Sequence, residues 1–421
     1  MVNQALQKKI EKILKDQGPE AVLQFCEDSL NDLPPDSIQD AVWLKIRRIK
    51  ALLQVKKFDI ESSVFEELLN EVDKVILDKK TNNVWKGDIF TSWGLSLDCR
   101  GFMTQSITKY RKSFEFYQGF DNESAARSLN CLGLNFMYLG RWESAQQVFL
   151  EGIQLVAPTN ITHIYIKCNL GELLRKWGKE SSQVILQEVI SFLEERLSQT
   201  TDSHIYTTKE VYAEAVHSLI SFYLDQDKNE MAKDLIRKIK KFQPDLTEYY
   251  FKIFLLRIKG RWALAQEKLD DAIKYYSMAL DIVLDINAYE HVLVIGYELA
   301  LVYLKKALEG HLDYLGSLES LLSQILAFAE DNNLQFIIID ILLIQVKILS
   351  WKRNDILAFL TLSRVSNLLK HFPYDHLKER FKQVERELNN FKLNLNNELI
   401  PQISLNELVD YLKEIQKFSA N

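Results

Sequence analysis

Small and large apolar side chains recur at fixed distances along this chain, and their spacing limits the folds open to it. Counted from Gly133, positions +3, +7, +12, +16 and +19 hold Phe136, Gly140, Ala145, Phe149 and Gly152. The surrounding segment also has the three-to-four-residue period of an amphipathic helix. Small residues let two helices approach closely, and the aromatic side chains fill the space between them. The spacing therefore predicts two antiparallel helices, with Gly140 in the left-handed conformation that ends the first one.

The same spacing starts again elsewhere in the chain, at Gly94, Gly171, Ile220 and Gly260. In the copy from Gly171 the turn is one residue shorter, so Leu186 takes the position that Phe149 holds in the first copy. Weaker copies start at Ile49 and Ala300. Repetition of one helical hairpin is the signature of a repeat protein, in which each unit buries its apolar face against the next.

This small–large–small pattern resembles the tetratricopeptide repeat family, most closely in LGLNFMYLGRWESAQQVFLEGI and EKLDDAIKYYSMAL. The family's basic unit is about 34 residues, whereas Gly133 and Gly171 are 38 residues apart. The chain is thus similar to long-repeat members such as kinesin light chains and bacterial peptide-sensing regulators. The resemblance implies an all-α, right-handed superhelical solenoid of about 7–9 helical hairpins, whose concave face is lined by the first helix of each hairpin.

The predicted domains follow from where the resemblance is strong. They are an N-terminal helical cap at 1–36, tetratricopeptide-like repeats at 37–331, degenerate C-terminal helical repeats at 332–392, a linker at 393–402 and a C-terminal amphipathic helix at 403–421. Ser404 and Glu407 form a capping box at the start of that last helix. Two interpretations stay open, since the helix can cap the last repeat or occupy the groove until a partner displaces it.

Composition supports long helices and argues against several functions. Only 14 glycines and 7 prolines interrupt 421 residues, and the net charge of −6 disfavours a general nucleic-acid binder. The most apolar run, 336–349, carries Asp340 and Lys347 and predicts a core helix, with no membrane partner. Four widely spaced cysteines and the lack of a signal peptide predict reduced thiols in a cytoplasmic protein.

Motifs for chemistry are missing from the sequence. No lysine–serine pair follows the glycines as a phosphate loop requires. The seven histidines show no metal-ligand spacing, and no local signature of a nucleophilic enzyme is present. We therefore expect no catalytic residues, no metal and no cofactor.

The expected binding residues are polar positions that the repeat register places on the groove side of the first helices. They are Arg127, Asn130, Tyr138, Asn169, Glu172, Arg175, Lys176, His217, Arg257, Arg261 and Tyr297. Arginine pairs well with carboxylates and asparagine with peptide backbone, so the expected ligand is a protein or peptide that carries acidic residues. The residues that a chaperone-type carboxylate clamp needs are not in register from Gly94.

The preferred hypothesis is a non-enzymatic adaptor that binds its partner in the concave groove. One alternative is a peptide-responsive sensor-regulator that controls an enzyme or GTPase by changing the pitch of the superhelix. Another is an enzyme whose site is assembled from distant helices. Unchanged partner binding after substitution of groove arginines would count against the first hypothesis.

Overall fold

The chain forms consecutive antiparallel helical hairpins, as the spacing of small residues predicts. The computed structural model describes residues 3–55, 57–100, 102–139, 141–198, 205–239, 249–285, 289–331, 335–352, 354–371 and 378–386. Within these ranges the chain divides into two compact units: Met1–Asn135 with Ala145–Ile166, and Phe136–Ser144 with Lys167–Asn421.

Eighteen helices with defined bounds lie in the described ranges, together with one further helical stretch and no strand. The first nine are α1 (Gln4–Gln17), α2 (Pro19–Asp32), α3 (Ile38–Gln54), α4 (Ser62–Lys74), α5 (Lys79–Cys99), α6 (Met103–Tyr117), α7 (Asn122–Tyr138), α8 (Trp142–Leu155) and α9 (Ile161–Lys176). The second nine are α10 (Ser181–Ser198), α11 (Ile205–Asp225), α12 (Asn229–Ile239), α13 (Tyr249–Ala265), α14 (Leu269–Asp285), α15 (Tyr289–Leu308), α16 (Asp313–Asp331), α17 (Gln335–Trp351) and α18 (Asp355–His371). Residues 378–386 are also helical.

In the first unit, two glycines of the predicted register lie where helices of one hairpin meet. A Cβ built on Gly94 in α5 would lie 2.8 Å from Cε1 of Tyr110 in α6. A Cβ on Gly133 in α7 would lie 2.6 Å from Cδ1 of Phe149 in α8. Real Cβ atoms essentially never come so close, so these positions admit glycine alone without a shift of the ring. The aromatic residues at +16 are both fully buried.

The second unit uses the same contact. Gly260 in α13 faces the ring of Tyr276 in α14, with Cε1 2.8 Å from a built Cβ. Gly171 in α9 faces Leu186 in α10, whose Cδ2 would be 2.7 Å away, so the one-residue shortening of that turn is confirmed. The first helices of successive hairpins also contact each other, since α11 packs on α13 and α13 on α15. This side-by-side order of first helices positions the candidate site.

The same type of backbone hydrogen bond occurs in the turns of several hairpins. The backbone N–H at +8 donates to the carbonyl at +3, from Lys179 to Leu174 at 2.8 Å and from Lys268 to Ala263 at 2.9 Å. This six-to-one bond is the mark of a Schellman motif, which satisfies a carbonyl at the helix end. The weak copy from Ile49 has it too, from Lys57 to Leu52 at 2.9 Å.

The left-handed residue that this motif needs falls at +7. Gly178 has φ +74°, and two residues with side chains, Asp227 at +56° and Glu267 at +57°, adopt the same conformation. The predicted Gly140 lies outside the described residues, as does Gly101, the residue at +7 from Gly94.

Replacing Glu267 by glycine is expected to raise the free energy of unfolding by about 0.5–1 kcal/mol. A residue with a side chain loses about 1–2 kcal/mol of stability in the left-handed region. Glycine avoids this cost, and the gain exceeds the stability lost because an unfolded glycine has more backbone entropy. Urea denaturation midpoints measure the change. Gly178→Ala is the reverse control and should lower stability. If Glu267→Gly is destabilising, strain at this turn is not the dominant effect.

The hairpin formed by α15 and α16 departs from the predicted register. Its six-to-one bond runs from the His311 N–H to the Lys306 carbonyl at 3.2 Å, three residues later than the copy from Ala300 predicts. The glycine at the close approach is Gly296, whose built Cβ would overlap the Ile325 side chain. Counted from Ala300, the first helix of this hairpin is nearly one turn longer, so the spacing read from Ala300 is wrong for it.

The apolar run at 336–349 is a core helix, as predicted. It lies within α17, where Asp340 and Lys347 are both buried, and Asp340 pairs with Arg380 from the helical stretch 378–386. Among the described residues, no helix combines the length and apolar content that a membrane crossing requires. The predicted linker at 393–402 and helix at 403–421 lie outside the described residues.

Candidate functional site

Charged side chains from four first helices meet inside the second unit, and we call this set the charged cluster. It consists of Glu172, Arg175 and Lys176 from α9, Glu214, His217 and Asp225 from α11, Arg257 and Arg261 from α13, and Glu298 from α15. Each hairpin contributes its first helix to the same side, so residues distant in sequence become neighbours. Six of the predicted binding residues belong to this cluster.

Within α9, Arg175 holds Glu172 with two parallel hydrogen bonds. Its Nε and Nη2 donate to the two carboxylate oxygens, at 2.7 Å each. Burial by itself would raise the pKa of Glu172, but the Arg175 guanidinium and the Lys176 ammonium lower that pKa to about 2. Glu172 is therefore ionised at any physiological pH, and both of its carboxylate oxygens accept hydrogen bonds from Arg175.

Asp225, at the end of α11, bridges two arginines. Arg175 Nη1 donates to its Oδ2 at 3.0 Å, and Arg261 Nη2 donates to its Oδ1 at 2.5 Å. The side chains of Asp225, Arg261 and Arg175 are 48%, 21% and 11% exposed. This bridge is the part of the charged cluster that solvent can reach.

A second ion pair lies deeper. Arg257 donates from Nε and Nη2 to the two carboxylate oxygens of Glu298, at 3.1 Å each, and the side chains are only 2% and 4% exposed. The Phe254 ring packs beside this pair, with its centroid 5.8 Å from the Arg257 guanidinium carbon and 5.9 Å from the His217 ring. The aromatic ring thus brings His217 and Arg257 to one place.

Two groups of the charged cluster titrate near neutrality. Burial lowers the pKa of Lys176 to about 7, because the attraction of Glu172 offsets only part of the desolvation cost. The Lys176 Nζ is 3.8 Å from the nearest Glu172 oxygen, which is too long for a hydrogen bond. Burial, and next the charge of Glu172, raises the pKa of Glu214 to about 7.

Several buried polar atoms here have no hydrogen-bond partner among the described residues. They are His217 Nε2, Ser221 Oγ, Arg257 Nη1 and Tyr276 OH. All four residues are more than nine-tenths buried. Burial and the positive charges of Arg257, Arg261, Arg175 and Lys176 hold the pKa of His217 well below its usual value, so this histidine is neutral at pH 7.

The other predicted binding residues are not members of the charged cluster. Arg127 is exposed on α7, where it pairs with Glu123 and donates to Thr162 Oγ1 at 3.3 Å. Asn130 and Asn169 are buried, and the side chain of Tyr138 lies outside the described part of the chain. Tyr297 is buried and its hydroxyl lies near the Asp340 carboxylate of α17, so it lies between neighbouring hairpins.

Sequence reasoning missed the acidic partners Glu214, Asp225 and Glu298. One signal could have found Asp225: it lies at +5 in the copy from Ile220, next to the position +4 that Arg175 holds in the copy from Gly171. Opposite charges at matching positions of successive first helices can pair. With these carboxylates the cluster has four acidic residues beside its four lysine and arginine residues, so it is more balanced in charge than the predicted set.

No group of side chains in the described ranges is arranged to hold a metal ion. Cys26 and Cys168 are buried, Cys99 and Cys131 are half-buried, and all four are free thiols. Burial raises the pKa of Cys131 to about 12, so its thiolate is scarce at neutral pH.

These features define an all-α protein with a tetratricopeptide-like fold of helical hairpins and a charged cluster on its first helices. The structure is similar to that of a Rap protein complexed with competence and sporulation factor, with a TM-score of 0.53 and 12% identity over 91% of this chain and 96% of that one. This likeness confirms the predicted fold class. At such low identity it shows a shared fold and carries no conclusion about function.

Two further structures resemble the chain more weakly. One is the Rap conjugation gene regulator of plasmid pLS20 in complex with the Phr* peptide, with a TM-score of 0.49 and 14% identity over 77% of this chain and 94% of that chain. The other is the apo form of RapI, with a TM-score of 0.46 and 11% identity over 94% and 97%. No protein-family model and no curated protein matches the sequence.

Proposed function

We propose that this protein is a non-enzymatic adaptor that binds a protein or peptide partner on the face of its first helices, through the charged cluster. The observation that carries the proposal is the partly exposed bridge from Arg175 through Asp225 to Arg261. A partly exposed arginine pair held in place by one carboxylate has further N–H donors for a second carboxylate. The expected partner segment therefore carries aspartate or glutamate.

Two other observations support the proposal. The Rap structure with the TM-score of 0.53 is described as complexed with competence and sporulation factor, so a protein of this fold binds a partner. The four free thiols agree with the proposed cytoplasmic location. The sensor-regulator alternative stays a prediction, and compaction on ligand binding in small-angle scattering would favour it.

Peptide selection by a displayed random library tests the proposal. The wild-type protein should select peptides enriched in aspartate and glutamate. Arg261→Gln should bind the selected peptides about tenfold more weakly, because a hydrogen bond to a charged group contributes about 1.5–3 kcal/mol. Arg261 is suitable because Asp225 keeps its bond to Arg175 in this variant, whereas Arg257 is buried and would report on folding instead.

The matched control is Arg237→Gln. Arg237 on α12 pairs with Asp234 and its side chain is 64% exposed, so the variant removes one surface arginine outside the charged cluster. Equal affinity of the wild-type protein and Arg261→Gln for the selected peptides would place the binding site elsewhere. Failure to select any peptide would contradict the peptide-binding function itself.

A further inference from the structure

We infer that Lys176, His217, Ser221 and Arg257 form a carboxylate subsite inside the charged cluster, and that binding of a ligand carboxylate there takes up protons. The inference rests on the proposed function, because the carboxylate belongs to the bound peptide. It goes further by assigning one chemical group of the ligand to four named side chains, and by linking its binding to pH.

The first argument is the number of buried polar atoms that lack a hydrogen-bond partner. Ser221 Oγ, Arg257 Nη1 and His217 Nε2 are buried and have no hydrogen-bond partner within the described ranges. Ser221 follows His217 by one helical turn on α11, so both lie on the same face, and His217 and Arg257 contact the same Phe254 ring. A buried donor without an acceptor costs about 1–3 kcal/mol, which an incoming acceptor would recover.

The second argument is that three of the four carboxylates of the cluster are already in use. Glu172 accepts two bonds from Arg175, Glu298 accepts two from Arg257, and Asp225 is shared by Arg175 and Arg261. Lys176 has no carboxylate oxygen of these residues within hydrogen-bond distance, the nearest being 3.8 Å away. An added carboxylate would supply the charge that this buried ammonium lacks.

The charged groups around Lys176 fix the sign of the proton linkage. They are Glu172 and Arg175 on its own helix, Glu214 from α11 and Arg257 from α13. The pKa of Lys176 is about 7, so the lysine is largely neutral at pH 8 and charged at pH 6. A ligand carboxylate raises the pKa of Lys176 and, by repulsion, that of Glu214, which also starts at about 7.

Both groups therefore bind protons when the carboxylate arrives at pH 8, whereas at pH 6 they already hold them. By linkage, affinity should fall as pH rises above about 7, by up to about tenfold per pH unit for each proton taken up. A carboxylate held only by Arg175 and Arg261 would show no such dependence, because arginine stays charged throughout this range.

Three blocked pentapeptides serve as probes: acetyl-Ala-Ala-Glu-Ala-Ala-amide, acetyl-pentaalanine with a free C-terminal carboxylate, and acetyl-pentaalanine amide. Calorimetry in two buffers of different ionisation enthalpy, at pH 6 and pH 8, measures affinity and proton uptake together. At least one carboxylate peptide should bind, with uptake of about one proton or more at pH 8 and almost none at pH 6. If the glutamate peptide binds, the subsite takes a side-chain carboxylate; if the peptide with the free C-terminus binds, it takes a chain-end carboxylate.

Two variants and a control complete the test. Lys176→Met should reduce proton uptake at pH 8 by more than half and weaken binding at pH 6 about tenfold or more. Ser221→Ala, which removes one hydroxyl, should weaken binding about threefold to tenfold. Lys167→Met is the matched control, since Lys167 is also on α9 but pairs with Glu188 at 2.6 Å, and it should behave as the wild type.

The inference is overturned if the neutral amide binds as well as the carboxylate peptides, if none of the probes binds, or if Lys176→Met keeps the full proton uptake. These results differ from failure of the proposed function. Library peptides that bind the wild-type protein, lose affinity in Arg261→Gln and take up no proton would leave the adaptor proposal intact while removing the subsite.

Discussion

Replacing Gly133 by leucine is expected to lower the free energy of unfolding by about 3 kcal/mol or more. A Cβ at this position would lie 2.6 Å from Cδ1 and 2.8 Å from Cζ of Phe149, and that ring is fully buried between α7 and α8. Overpacking a core by extra carbons costs about 1–3 kcal/mol, and here the helices themselves must separate. Urea denaturation followed by circular dichroism measures the loss.

The same substitution at Gly316 is the matched control. Gly316 is helical, in α16, and a Cβ built there meets nothing within 4 Å. Because leucine is a better helix former than glycine, Gly316→Leu should be neutral or stabilising by up to about 1 kcal/mol. Equal destabilisation by both substitutions would contradict the steric explanation for Gly133.

A double-mutant cycle isolates the contact. Phe149→Ala alone should cost about 3–5 kcal/mol, and Gly133→Ala alone should be destabilising because its methyl group overlaps the ring. In the double variant the methyl group occupies part of the space that the ring leaves. The combined loss should therefore be at least about 1 kcal/mol smaller than the sum of the two single losses, whereas distant sites add.

Replacing Arg257 by methionine is the second substitution with a large expected effect, a loss of about 3–5 kcal/mol at pH 8. It leaves the Glu298 carboxylate buried without its partner, and removal of one member of a buried ion pair costs about this much. The double variant Arg257→Met/Glu298→Met should recover most of the loss, because no unpaired charge remains. Thermal unfolding by calorimetry gives the comparison.

The pH dependence of Arg257→Met has a defined sign. An unpaired buried carboxylate is destabilised in its charged form, so a variant that leaves one without its partner loses stability as pH rises. The deficit relative to wild type should thus grow between pH 5 and pH 8. Arg364→Met is the control, since the Arg364–Glu330 pair is 49% and 42% exposed and should contribute less than about 1 kcal/mol.

The hairpin register was predictable because it depends on residues close together in sequence. Gly94, Gly133 and Gly260 each face the aromatic side chain sixteen residues later, and the register also located the left-handed turns at Asp227 and Glu267. The failure at Ala300 has a local cause, because α15 extends nearly one turn further than the pattern assumes. A single sequence carries no signal for the length of that extension.

The candidate site was predictable in part. The register placed Arg175, His217, Arg257 and Arg261 on the same side of their helices, and the structure brings them together. The register does not indicate which carboxylate each cation pairs with. That choice depends on the offset between neighbouring hairpins and on how deeply each side chain is buried.

The sequence by itself determined that the chain would form helical hairpins, where their helices would touch and which side chains would lie on the first-helix side. These are consequences of spacing within about forty residues. Only the tertiary structure decided that Arg257 pairs with Glu298, 41 residues away, and that Arg175 meets Asp225, 50 residues away. It also decided that Lys176 is buried without a hydrogen-bonded carboxylate, because desolvation depends on every helix packed around a group and not on the residues beside it in the chain.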